Sequence, residues 1–91
     1  MNSPLDEARE LLVHVGHSSL DPTVAINALA AATSLERSGA HASADEPHTD
    51  RSERSTLDSA LVLLGELARD CADDDLLLAL EFTLLAQRAA R

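Results

Sequence analysis

The chain has 91 residues and a formal net charge of −9, from 16 acidic and 7 basic side chains. This excess of acid argues against binding to nucleic acid or to an anionic membrane, since both attract basic surfaces. Apolar residues make up 45% of the chain, but Phe82 is its single aromatic residue, so a core must come from many close aliphatic contacts. One domain of this size has a thin stability margin, which favours association into an oligomer.

The cellular location is predicted from the cysteine content and from the absence of targeting signals. Cys71 is the single cysteine and has no partner for an internal disulfide, which fits a reducing cytoplasm. No basic segment followed by an apolar stretch opens the chain, so we expect no signal peptide. The longest strongly apolar run covers residues 76–80, far short of the ~20 residues of a membrane span. We therefore expect a cytoplasmic protein.

Two helices are predicted in the first half of the chain. Ser3 and Pro4 supply an N-cap and a proline at the first helical position, and Gly16 lies where this helix ends. Its apolar residues recur at helical spacing: Leu5, Ala8, Leu11, Leu12 and Val15. Asp21 and Pro22 repeat the start signal. The inner face of the second helix is mostly small, so another helix can approach it closely: Val24, Ala25, Ala28, Leu29, Ala32 and Leu35.

A polar linker over residues 39–54 separates these helices from a third one. Gly39 is placed to close the second helix in the left-handed conformation, and the following residues lack apolar periodicity and include Pro47. Residues 55–58 resemble a capping box, with Asp58 in place of the usual glutamate. The third helix has one apolar face: Leu57, Ala60, Leu61, Leu64, Leu67, Ala68 and Cys71.

The fourth helix is the candidate interaction element. Asp73, Asp74 and Asp75 cap its start. Its large apolar residues surround the axis: Leu76, Leu77, Leu78, Leu80, Phe82, Leu84 and Leu85. A helix that is apolar all round must be buried all round, and a four-helix monomer of this size seldom encloses one helix. We therefore expect six of these residues to serve as interface or core: Leu76, Leu77, Leu80, Phe82, Leu84 and Leu85.

These elements predict an all-α fold, a four-helix bundle built from two helical hairpins (3–38 and 55–91) in one domain. Six residues of the first hairpin recur 52 positions later: Leu5, Asp6, Ala8, Leu11, Leu12 and Asp21 match Leu57, Asp58, Ala60, Leu63, Leu64 and Asp73. Whether this marks a true duplication is left open. The 16-residue linker is long enough for two copies to exchange hairpins, so an intertwined, swapped dimer competes with a closed monomer.

No pattern in the sequence is typical of an enzyme. The acidic residues gather at predicted helix starts, where capping explains them, and no phosphate loop, dinucleotide fingerprint or zinc-type cysteine pair is present. His14 and His17 lie on one side of the first helix, and they form a weak candidate metal site with four residues of the linker: His41, Asp45, Glu46 and His48. We interpret His14 and His17 as polar residues at a helix end and expect no metal or other cofactor.

One short segment suggests a different function. Residues 58–61, Asp-Ser-Ala-Leu, resemble the Asp-Ser-Leu motif of acyl carrier proteins, although Ala60 stands where that family has leucine. Members of that family are small acidic four-helix domains whose serine carries phosphopantetheine at the start of a helix. The resemblance implies Ser59 as the attachment site.

We favour a protein–protein interaction module: an adaptor, regulatory or stabilising subunit that forms a homodimer through its C-terminal helix and binds another protein. The alternatives are an acyl-carrier-like protein modified at Ser59, and a regulator that responds to a small ligand or a metal. Neither nucleic acid nor a membrane is an expected partner.

Overall fold

The computed structural model describes residues 4–40, 52–70 and 73–90, which form four α-helices and no β-strand. The helices are α1 (Pro4–Ser18), α2 (Pro22–Arg37), α3 (Glu53–Asp70) and α4 (Asp74–Ala89). The predicted all-α four-helix bundle is confirmed. The predicted cap at Ser3 and the roles considered for His41, Pro47, His48 and Cys71 lie outside the described residues.

The helices are arranged as a ring of four neighbours. α1 packs on α2 and on α3, and α4 packs on the same two helices. The pair formed by α2 and α4 is the most extensive of the four. Each hairpin therefore lies alongside the other, with α1 against α3 and α2 against α4.

Side-chain contacts give the direction of the helices. The Ser38 hydroxyl donates to Oδ2 of Asp73 at 2.8 Å, which joins the end of α2 to the start of α4. Gln87 in the last turn of α4 donates to Asp58 near the start of α3. Neighbouring helices are therefore antiparallel. It follows that α2 ends at one pole of the bundle and α3 begins at the opposite pole.

Aspartate caps begin both second helices of the hairpins, as predicted. Asp21 has extended backbone angles (φ −91°, ψ 116°), and its carboxylate accepts from the Thr23 N–H at 2.9 Å. Asp73 does the same for α4 (φ −78°, ψ 141°), accepting from the Asp75 N–H at 3.2 Å. Each bond satisfies one backbone donor that the helix itself leaves unpaired.

Gly39 ends α2 in the left-handed conformation that the sequence predicts, with φ at 108°. Its N–H donates to the Glu36 carbonyl at 3.1 Å, and the Ala40 N–H donates to the Leu35 carbonyl at 2.9 Å. This pair of bonds is a Schellman motif, in which the residue after the glycine usually packs on the last turn. Ala40 is accordingly buried in the core together with Leu35.

The start of α3 differs from the prediction. The helix begins at Glu53, and Ser52 caps it by accepting from the Ser55 N–H at 3.2 Å. The predicted capping box over residues 55–58 is therefore wrong, because an equivalent hydroxyl three residues earlier starts the helix sooner. Asp58 consequently lies in the second turn, where it accepts from Gln87.

The core is built from aliphatic side chains, about half of them alanine. Its buried apolar members are Ala8, Leu12, Val15, Val24, Ala28, Ala31, Ala32, Leu35, Ala40, Leu57, Ala60, Leu64, Leu76, Ala79, Ala86 and Ala90. Two residues predicted for the inner face of α2 are not in the core: Leu29 is 38% exposed and Ala25 is half-buried, while Ala31, which was not predicted, is buried. The small side chains allow helices to pack closely, as predicted for α2.

Gly16 of α1 lies against the side chain of Leu29 on α2. A Cβ atom at this position would stand 2.5 Å from Cγ and Cδ2 of Leu29, well inside van der Waals contact. A Cβ atom placed in the same way on Gly65 in α3 has no other atom within 4 Å. The two helical glycines therefore differ, because only at Gly16 would an added methyl group force a neighbouring side chain, that of Leu29, to shift.

We expect Asp73→Ala to lower the free energy of unfolding by ~1 kcal/mol more than Asp21→Ala. Both variants lose a helix cap, but only the first also loses the acceptor of the Ser38 hydroxyl. Urea denaturation followed by circular dichroism measures the difference. Ser38→Ala serves as control, since it should destabilise the native chain and leave the Asp73→Ala variant unaffected; equal losses in both backgrounds would contradict the contact.

We expect Gly65→Ala to stabilise the fold by ~1 kcal/mol, because alanine is the better helix former and the site is open. Gly16→Ala makes the same exchange but brings a methyl group against Leu29, so that it should lose this gain. Thermal and urea unfolding of the two variants provide a matched comparison. Equal stabilisation by both would show that α1 and α2 are not in close contact at Gly16.

Candidate protein-interaction site

The inner side of α4 carries mostly small residues. Leu76, Ala79, Thr83 and Ala86 are buried against the other helices. The hydroxyl of Thr83 donates to the Ala79 carbonyl at 2.7 Å, so this buried polar group is satisfied within its own helix. The buried side of α4 therefore consists of alanine and threonine more than of leucine.

The six residues predicted as interface or core separate into three groups. Leu76 belongs to the core, while Leu80 and Phe82 are half-buried and pack against it. The others, Leu77, Leu84 and Leu85, lie on the exposed side. One helix thus contributes both to the core and to an apolar surface.

The outer face of α4 carries four leucines with large exposed fractions. These are Leu77 at 45%, Leu78 at 40%, Leu84 at 37% and Leu85 at 42%. They form two pairs seven residues apart, a spacing that repeats the same side of a helix after two turns. Leu78 was not among the six predicted residues, although its seven-residue spacing from Leu85 would have identified it.

Three charged residues complete the outer face. Asp74, Glu81 and Arg88 are exposed, and each is seven residues from the next along the helix. Elsewhere in the bundle, Arg9 of α1 and Glu36 of α2 form an ion pair with N and O 2.6 Å apart. We call Asp74, Leu77, Leu78, Glu81, Leu84, Leu85 and Arg88 together the outer face of α4.

Apolar exposure elsewhere is less concentrated. Val62 on α3 and Leu20 before α2 are exposed as single residues, and Ile26 and Leu29 form a smaller pair on α2. Scattered apolar residues are normal on protein surfaces, whereas contiguous patches mark interaction sites. The four leucines of α4 therefore form the strongest candidate surface in the described part of the chain.

A shallow cleft of about 370 Å³ lies where α1 ends and α3 begins. His14, Leu20, Glu53 and Thr56 contribute to its wall. His14 is half-buried and His17 is exposed. No three metal-binding side chains come together among the described residues, and the linker histidines lie outside them.

Ser59 does not occupy the position that the acyl-carrier resemblance implies. It lies in the second turn of α3 rather than at the start of a helix, and it is half-buried. Its hydroxyl donates to the Ser55 carbonyl at 3.1 Å. The geometry therefore offers no specific support for a prosthetic group at this serine.

We found no family model, curated protein or solved structure that matches the chain. None of the described helices is both long enough and apolar enough to cross a membrane. Function must therefore be inferred from the chain's own surface.

Leu85→Ala should cost the monomer less than ~1 kcal/mol, whereas Leu76→Ala should cost ~2–4 kcal/mol. The second substitution leaves a cavity in the core, but the first removes a side chain that water already reaches. Chemical denaturation in dilute solution, where association is minimal, measures both values. Similar losses for the two variants would contradict the outward placement of Leu85.

Proposed function

We propose that this chain is a non-catalytic protein–protein interaction module that self-associates through the outer face of α4. The observation that carries the proposal is the set of four exposed leucines on one side of one helix. Such a face is costly to leave in water and is suited to a helix–helix contact.

Packing within the chain supports this use of α4. The helix already buries its opposite side against α2 and α3, and the outer leucines belong neither to the core nor to the residues packed against it. Folding of one chain therefore leaves about 40% of each of these leucines in water. Burial by a partner would return a favourable free energy of ~25 cal/mol for each square ångström of apolar surface covered.

We infer a role as an adaptor, regulatory or stabilising subunit in the cytoplasm. A formal charge of −9 favours a second protein partner with a basic surface, since like-charged surfaces repel and complementary ones accelerate encounter. The α4 dimer and the acidic remainder of the surface would then serve different partners.

The test is sedimentation equilibrium across a concentration series. Interference optics are required, because the chain has no tryptophan or tyrosine. We expect the wild-type chain to dimerise and the Leu77→Gln/Leu84→Gln double variant to be monomeric over the same range.

The matched control is Ile26→Gln/Leu29→Gln, which removes an exposed apolar pair from α2. It should dimerise as the wild type does. A wild-type chain that stays monomeric up to several hundred micromolar would overturn self-association, and equal loss with the α2 control would move the interface away from α4.

A further inference from the structure

The outer face of α4 has the same spacing in both directions from Glu81. Leu78 and Leu84 lie three residues to either side, and Leu77 and Leu85 lie four residues to either side. At seven residues the face carries an acid on one side, Asp74, and a base on the other, Arg88. All seven positions are exposed.

In two antiparallel copies of a helix related by a twofold axis, a residue that lies a given number of positions before the axis is level with the partner residue that lies the same number of positions after it. If the axis passes at Glu81, Leu77 meets the partner subunit's Leu85, and Leu78 meets the partner subunit's Leu84. Asp74 then meets the partner subunit's Arg88, and the same contact occurs twice by symmetry. Every leucine of the face is thereby matched with leucine.

We propose that the occupant of this face is a second copy of α4, bound antiparallel with Glu81 at the twofold axis. This inference rests on the proposed self-association and adds its orientation and register. Charge complementarity selects the orientation, because a parallel pair would place Asp74, Glu81 and Arg88 each opposite its own copy, which is unfavourable at three positions.

A second antiparallel register also pairs opposite charges. An axis between Leu84 and Leu85 would place Glu81 opposite the partner subunit's Arg88. That register would leave Leu77 and Leu78 beyond the partner helix, which ends at Ala89, so half of the apolar face would stay in water. Apolar burial therefore favours the register centred on Glu81.

The proposed register has one unfavourable feature, which makes it testable. Two Glu81 carboxylates face one another across the axis, so the contact is weaker than the leucines alone would make it. A single helix face also lies at the small end of protein interfaces. We therefore expect a reversible dimer that dissociates on dilution, with a dissociation constant on the order of micromolar or above.

The first experiment mixes two charge variants. Asp74→Arg and Arg88→Asp should each weaken the homodimer, about tenfold, because each creates two like-charge contacts. An equimolar mixture should recover dimer as a heterodimer, since every arginine then faces an aspartate. Native mass spectrometry distinguishes the three dimers by mass, and circular dichroism of each variant confirms that both are helical.

The second experiment replaces Glu81 by glutamine. Glu81→Gln should tighten the wild-type dimer several-fold in the proposed register, because it removes the repulsion at the axis. It should weaken the dimer in the competing register, because it removes a partner of Arg88. Glu66→Gln on α3 is the control, since it makes the same change of net charge at an exposed residue away from α4.

The outcomes separate this inference from the proposed function. Preferential heterodimer formation together with tightening by Glu81→Gln supports the antiparallel register. A wild-type dimer that the leucine variants abolish, but that neither charge experiment affects as described, overturns the register and leaves the function standing. A wild-type chain that does not dimerise overturns both.

Discussion

The close packing of α2 against α4 through small side chains is the constraint on which the remaining architecture depends. α2 and α4 form the most extensive helix pair of the bundle, and the buried side of each carries alanines, among them Ala31, Ala32, Ala79 and Ala86. Small side chains let helix axes approach toward the short end of the usual range. Small residues predominate on the buried side of both helices, and the leucines of α4 other than Leu76 lie at its flanks and on its outer face.

The position of helix ends could be predicted wherever the signal is local. Asp21, Asp73 and Gly39 act through bonds to residues two or three positions away, and the structure has each of them in the predicted role. The start of α3 could not be fixed in this way, because Ser52 and Ser55 are both suitable caps. The choice between them depends on how far the helix is held by its packing, which a local pattern does not contain.

The side of α4 that faces the core could not be predicted from the positions of its leucines. With leucine on all sides, the large residues give no preferred direction. The small ones do, since Ala79, Thr83 and Ala86 recur at helical spacing and all face the core. Leu29 shows the same limit on α2, because its spacing suits the inner face but the core is already filled by alanine. Size complementarity between facing helices, which decides these cases, requires knowledge of which helices face each other.

The second helices of the two hairpins have matching bounds, whereas α3 begins three residues earlier in the 52-residue frame than α1 does. Shifting the bounds of α2 by 52 positions gives the bounds of α4. The caps of both helices are aspartates with the same hydrogen bond. The difference lies outside, where α2 carries Ile26 and Leu29 and α4 carries two pairs of leucines. The shared frame builds the bundle, and the outer surface of the second hairpin is what distinguishes it.

The covalent link between the two hairpins determines which contacts of the protein depend on its concentration. A single chain joins two hairpins that each bury one side against the other, so the second hairpin is present at a high effective concentration fixed by the tether. Association of the hairpins is thus a first-order event that dilution does not reverse. A contact on the outer face of α4 has no such tether. Expression level would therefore set how much of that contact forms, while the bundle beneath it stays intact.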